Sequence, residues 1–127
     1  MNYLAHGFRH VHDPWFVAGT ALPDWLRVLD RRARVSADAA AAHRDHADPR
    51  IRSLARGVLQ HHEDDRRFHG SRAFAETRGA VADTIRPALP AADGHRPWFI
   101  SHLVLEVQLD ASIAAAEPSR LDDYYTA

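Results

Sequence analysis

The sequence predicts an all-α fold: a compact single-domain bundle of about six helices spanning residues 1–127. Three observations point there. Signals that start and stop helices recur along the chain, the period-two alternation of a strand is scarce, and histidine and acidic side chains recur at a helical spacing of four.

In chain order, the first helix is expected over Asn2 to Arg9. The second runs from Trp15 to Arg32 with a break near Pro23, since proline has no N–H to donate and its ring meets the preceding turn. Ser36 can cap a third helix, Ala37 to Ala47, whose alanine-rich run Ala39 to Ala42 favours the helical state. Asp48-Pro49 sets an N-cap before a proline at the first helical position and opens a fourth helix, Pro49 to Phe68. Ser71 to Ala88 and Pro97 to Ala115 complete the set, and Leu121 to Tyr125 forms a final short turn. That last segment ends without a helix-stopping signal, so the chain is expected to be a C-terminally shortened member of something longer.

A length of 127 residues, 46% hydrophobic and 26% charged, describes one ordinary globular domain with a modest core. Sixteen basic residues against seventeen acidic ones give a net charge of −1, so there is no dominant basic face and nucleic acid is not an expected partner. The absence of cysteine excludes disulfides and thiolate metal sites. No apolar run approaches the roughly 18 residues of a membrane span, and Met1 to His6 lacks the layout of a signal peptide. The expectation is a cytoplasmic protein away from membranes, its oligomeric state left open.

The unusual number is ten histidines, because neutral imidazole is both a ready metal ligand and a ready proton carrier. On a helical wheel, Leu54, Val58, His61, His62, Asp65 and His69 share an arc of about 100°, while Asp64, Arg56 and Arg67 point elsewhere. The apolar stripe thus becomes a ligand stripe pointing inward, where an unpaired charge is expensive and a metal ion relieves the cost. His102, Glu106 and Asp110 repeat the spacing beside Leu103, Leu109 and Ile113. Two such stripes suggest two helices packed face to face around one or two divalent ions; zinc, manganese, iron or nickel accept imidazole and carboxylate ligands. Asp24, an acid at a helix start, and His6, in a short apolar helix, are added as ligands, against N-terminal capping and a buried hydrogen-bonded histidine as the alternatives. His12 and Asp13 read as a turn, and His43, His46 and His95 as surface positions.

Asn2-Tyr3-Leu4-Ala5-His6, the stretch Gly19 to Asp24, and Gly57-Val58-Leu59-Gln60-His61 with Asp65 four residues on resemble the acyl carrier protein phosphodiesterase family. That family is related to the helical HD-domain phosphohydrolases, so the resemblance implies an HD-domain-like bundle and metal-dependent hydrolysis. It covers about half of the chain. By it His6, Asp24, His61 and Asp65 would be metal-site residues and His102 would stand near the family's Asp-His pair. His62, His69 and Ser101 depart from the pattern, where the family has arginine, aspartate and aspartate. Leu22-Pro23-Asp24 also looks like a segment of helical zinc-dependent hydrolases of the phospholipase C kind.

These readings combine into one expectation. A metal-dependent phosphoesterase or phosphodiesterase would hold its ion with His61, Asp65, His102 and a carboxylate from Asp24 or Asp110. His69 or His62 would carry the proton, and Arg66 and Arg9 would meet substrate phosphate. The substrate would be a small phosphorylated molecule or a phosphopantetheine-type ester. A structural ion without catalysis, or stripes that face water and hold nothing, are the competing expectations.

Overall fold

Asp13, Ser36, Asp48 and Ser71 each accept a backbone N–H from the first turn that follows, and these four caps fix where four helices begin. The computed structural model describes residues 1–89 and 96–127, and among them every regular element is helical. The order is α1 (Tyr3–Gly7), α2 (Pro14–Leu29), α3 (Ala37–Ala41), α4 (Pro49–His69), α5 (Arg72–Ile85), a 3₁₀ turn (Arg86–Ala88), α6 (Pro97–Ala116) and α7 (Ser119–Thr126). His95 lies outside the described residues.

The elements differ from the expected spans in four ways. No break separates two helices at Pro23, which lies inside α2; the neighbouring Gly19, Thr20 and Ala21 are buried, and that packing holds the helix through the missing donor. Asp24 is therefore inside a helix rather than at its start. α3 stops at Ala41, where the bonds tighten to three residues back, His43 N–H to Ala40 O and Arg44 N–H to Ala41 O, and arginines of α4 take carbonyls of the turn that follows. Arg56 donates to Arg44 O at 3.0 Å and Arg52 to His46 O at 2.7 Å. The C-terminal turn is a full helix, α7, packed on α1 and α6.

The fourth difference is α6. An 18-residue window within its 20 residues reaches a mean hydropathy of 1.3 with only 6% of that window buried, long and apolar enough to cross a membrane by length and composition. The expectation that no segment would reach this rested on unbroken runs, which Ser101, His102, Glu106 and Asp110 interrupt without lowering the average enough. Trp98, Phe99, Leu103 and Val107 are exposed, while Glu106 and Asp110 meet α1 and α4.

The core is small. Leu4, Val17, Ala21, Ala55, Val58, Phe74 and Ala82 are buried, and among them sit two buried histidines, His6 and His61. α2 and α4 form the most extensive pair, α5 packs on α6, and α1 lies against α2, α4 and α6. α1 thereby brings its histidine to α4 and its backbone to α6.

Candidate metal centre

The site begins with a backbone contact. Gly19 of α2 and Gly57 of α4 approach so closely that a Cβ on Gly57 would stand 2.9 Å from the Gly19 Cα. With no side chains between them the two helices close up, and one turn beyond Gly57 the ring of His61 meets α2. Its Nδ1 lies 2.8 Å from the carbonyl oxygen of Thr20. A carbonyl only accepts, so Nδ1 carries the proton and Nε2 presents a lone pair. That lone pair faces Asp65 Oδ2 at 3.5 Å, one helical turn along.

His6 arrives from α1 with the same orientation logic. Its ring stacks on His61 with centroids 4.4 Å apart, and its Nδ1 lies 3.3 Å from Asp64 Oδ2. Gln60 donates to the other Asp64 oxygen at 2.7 Å and holds that carboxylate in place. The His6 Nε2 lies 3.4 Å from Asp65 Oδ1, is buried, and makes no hydrogen bond among the described residues. Two imidazoles with their Nδ1 atoms held by an acceptor, and with both Nε2 atoms beside one carboxylate, form the arrangement that outer partners impose on metal-binding histidines. Ligand atoms of His6, His61 and Asp65 all lie within 4.8 Å of one another, so one ion fits the donor set.

Electrostatics favour a cation here. Burial lowers the His61 pKa, and the neighbouring His6 adds to that, so the ring is held neutral as a ligand requires. Burial would raise the Asp65 carboxyl, but the adjoining His6 and His61 rings and the hydrogen bond from the Met1 α-ammonium hold it far below the usual carboxylate range. The Met1 α-ammonium bonds Asp65 and lies 3.2 Å from Glu106 Oε1. A positive charge thus already sits where these two carboxylates converge.

Glu106 belongs to a second group. Its Oε1 lies 3.1 Å from His69 Nε2 and 2.9 Å from His102 Nε2, and the three residues also offer ligand atoms within 4.8 Å of one another. The rings of His69 and His102 rest against Phe74 of α5, at 4.9 and 5.3 Å between centroids. This group lines a cleft of about 630 Å³, together with Asp24 and Asp65.

The geometry redraws the expected ligand set. His61 and Asp65 share a group with His6, whereas His102 and Glu106 share another with His69, so a single ion on His61, Asp65 and His102 is replaced by two triads. α4 and α6 share no extensive face; α1 and Met1 lie at their junction. Asp110 is in neither triad. It accepts from the N–H groups of Leu4 and Ala5 at 3.2 and 2.8 Å and caps α1 from another helix. Asp24 lines the cleft but joins neither triad. His62 points away, its Nε2 2.9 Å from the carbonyl of Val35, where it tethers the segment before α3. Arg66 is exposed and paired with Glu63, and Arg9 lies over the Phe8 ring, so neither lines the cleft. Asp64, expected to point elsewhere, holds His6 instead; its reach depends on where α1 packs, which no spacing within α4 reveals. Arg27, Arg78 and Arg96 line the cleft and were not singled out from the sequence.

No family model, no curated protein and no solved structure matches this chain.

Proposed function

We propose that this protein is a metal-dependent phosphohydrolase acting on a small phosphorylated substrate in the cleft beside α6. The observation that carries the reading is the pair of buried, oppositely tethered imidazoles, His6 and His61, whose Nε2 atoms converge on Asp65 at the edge of an open cleft. A divalent ion, when bound, lowers the pKa of coordinated water and polarises a phosphoryl oxygen.

The chain's own residues supply the rest. Thr20 O and Asp64 fix the tautomers of His61 and His6. His69, on the cleft and hydrogen-bonded to Glu106, is the proton carrier of this reading; burial lowers its pKa, with the Met1 ammonium acting in the same direction. Asp24 adds negative charge beside the same space. The resemblance of Asn2 to His6 and Gly57 to Asp65 to the acyl carrier protein phosphodiesterases supports the same chemistry.

A second reading, a structural ion without catalysis, is favoured by the deep burial of His6 and His61, each 3% exposed. Calorimetric titration of metal-free protein with zinc, manganese and nickel, followed by assays with p-nitrophenyl phosphate and bis(p-nitrophenyl) phosphate, tests both. Binding that His61→Ala or Asp65→Asn weakens at least tenfold, together with hydrolysis, supports the phosphohydrolase. Binding without hydrolysis of either ester leaves the structural ion. A melting temperature indifferent to all three metals ends both.

A further inference from the structure

Arg78 of α5 is held in an unusual way. Its guanidinium carbon lies 4.9 Å from the Trp98 ring centre and 5.3 Å from that of Phe74, so the planar group is fixed between elements α5 and α6. Its Nε–H is buried and has no hydrogen-bond partner among the described residues. A buried charged donor left unpaired is costly, and the side chain lines the cleft that holds His69, His102 and Glu106. Arg27 of α2 and Arg96 at the start of α6 line it as well.

Charge narrows what such a cleft accepts. Its described lining matches three carboxylates, Asp24, Asp65 and Glu106, with these three guanidiniums, and the Met1 ammonium already pairs with two of the carboxylates. A divalent ion on the carboxylates leaves the guanidiniums uncompensated. A dianion answers that excess better than a monoanionic diester. A pre-fixed guanidinium also suits the two oxygens of a terminal phosphoryl group, which it can meet as a fork.

We propose that Arg78, with Arg27, forms the phosphoryl-binding site of the cleft, and that the substrate class is a phosphomonoester dianion rather than a phosphodiester. This rests on the phosphohydrolase reading, and it makes Arg78 the residue that anchors substrate while the histidine and carboxylate side chains hold the ion. The exposed rings of Trp98 and Phe99 line the same cleft, and an apolar or planar leaving group would rest on them.

Calorimetry with inorganic phosphate and with dimethyl phosphate, on metal-free and on zinc-loaded protein, is the test. Phosphate should bind at least tenfold more tightly than dimethyl phosphate. Arg78→Met should weaken phosphate binding at least tenfold while zinc affinity stays within twofold, and Arg78→Lys should recover only part of the loss. Because Arg78→Met removes packing against two rings, Arg27→Ala serves as the second variant: Arg27 is exposed, so a severalfold loss of phosphate affinity with an unchanged melting temperature supports the site. Equal affinity for the two ligands overturns the monoester assignment. Phosphate binding undisturbed in both variants overturns the role of the arginines. Zinc titration of the same samples keeps the two claims apart, since phosphate binding that depends on Arg78 in a protein that binds no metal would defeat the hydrolase reading and leave the anion site standing.

Discussion

The His61 Nδ1–H donates to the carbonyl of Thr20 at 2.8 Å, joining α4 to α2 and turning the Nε2 lone pair toward Asp65. That bond exists because Gly19 and Gly57 let the two helix backbones meet one turn away. Gly57→Ala places a methyl group 2.9 Å from the Gly19 Cα, and overpacking of this sort costs about 1 to 3 kcal/mol or more. Urea unfolding should show a lower midpoint, and zinc affinity should fall with it because His61 loses its acceptor. A variant as stable as wild type would mean that α2 and α4 do not meet as described.

Asp64 and Gln60 act on the site only through His6. Asp64→Asn and Gln60→Ala should each reduce zinc affinity by roughly 10- to 100-fold, the usual cost of losing a partner that orients a metal-binding histidine. Calorimetric titration measures it, and circular dichroism should show an unchanged helical signal. Wild-type affinity in both would show that the His6 ring needs no such support.

Asp110 separates capping from metal binding. Removing its carboxylate with Asp110→Ala leaves two N–H groups of α1 without their acceptor and should cost about 1 to 2 kcal/mol. Zinc affinity should change far less than in His61→Ala. A loss of zinc affinity equal to that of His61→Ala would restore Asp110 as a ligand.

The C-terminal helix carries a pH-dependent contribution. Burial, and then the neighbouring Tyr125 and Asp110, push the Tyr124 phenol up to about 12 from its ordinary 10. The folded chain therefore favours the protonated phenol more than the unfolded chain does. The associated stability is complete below pH 10 and is lost as pH rises toward 12. Absorbance of ionised tyrosine near 295 nm should show a late-titrating phenol that is lost in Tyr124→Phe, and the same variant should flatten the fall in melting temperature over this interval. A titration curve unchanged in its late part by Tyr124→Phe would count against the burial of Tyr124.

The sequence by itself determined the helical class, because caps and prolines act within a few residues: Asp48 with Pro49, and Ser36, start helices through bonds to their own first turns. It also determined that His61, Asp65 and His69 follow one another along α4, since a spacing of four is a property of the helix alone. Only the tertiary structure decided how these residues are grouped. Asp64 became a support for His6 because α1 packs at that height of α4, and Asp110 became a cap because α1 begins against α6. His62, one residue from His61, turned to the Val35 carbonyl because adjacent helical residues lie about 100° apart and face different neighbours. Arg78 gained its position from the packing of Trp98 and Phe74. Spacing along one helix is local and readable, whereas which helix stands opposite depends on contacts between residues far apart in the chain.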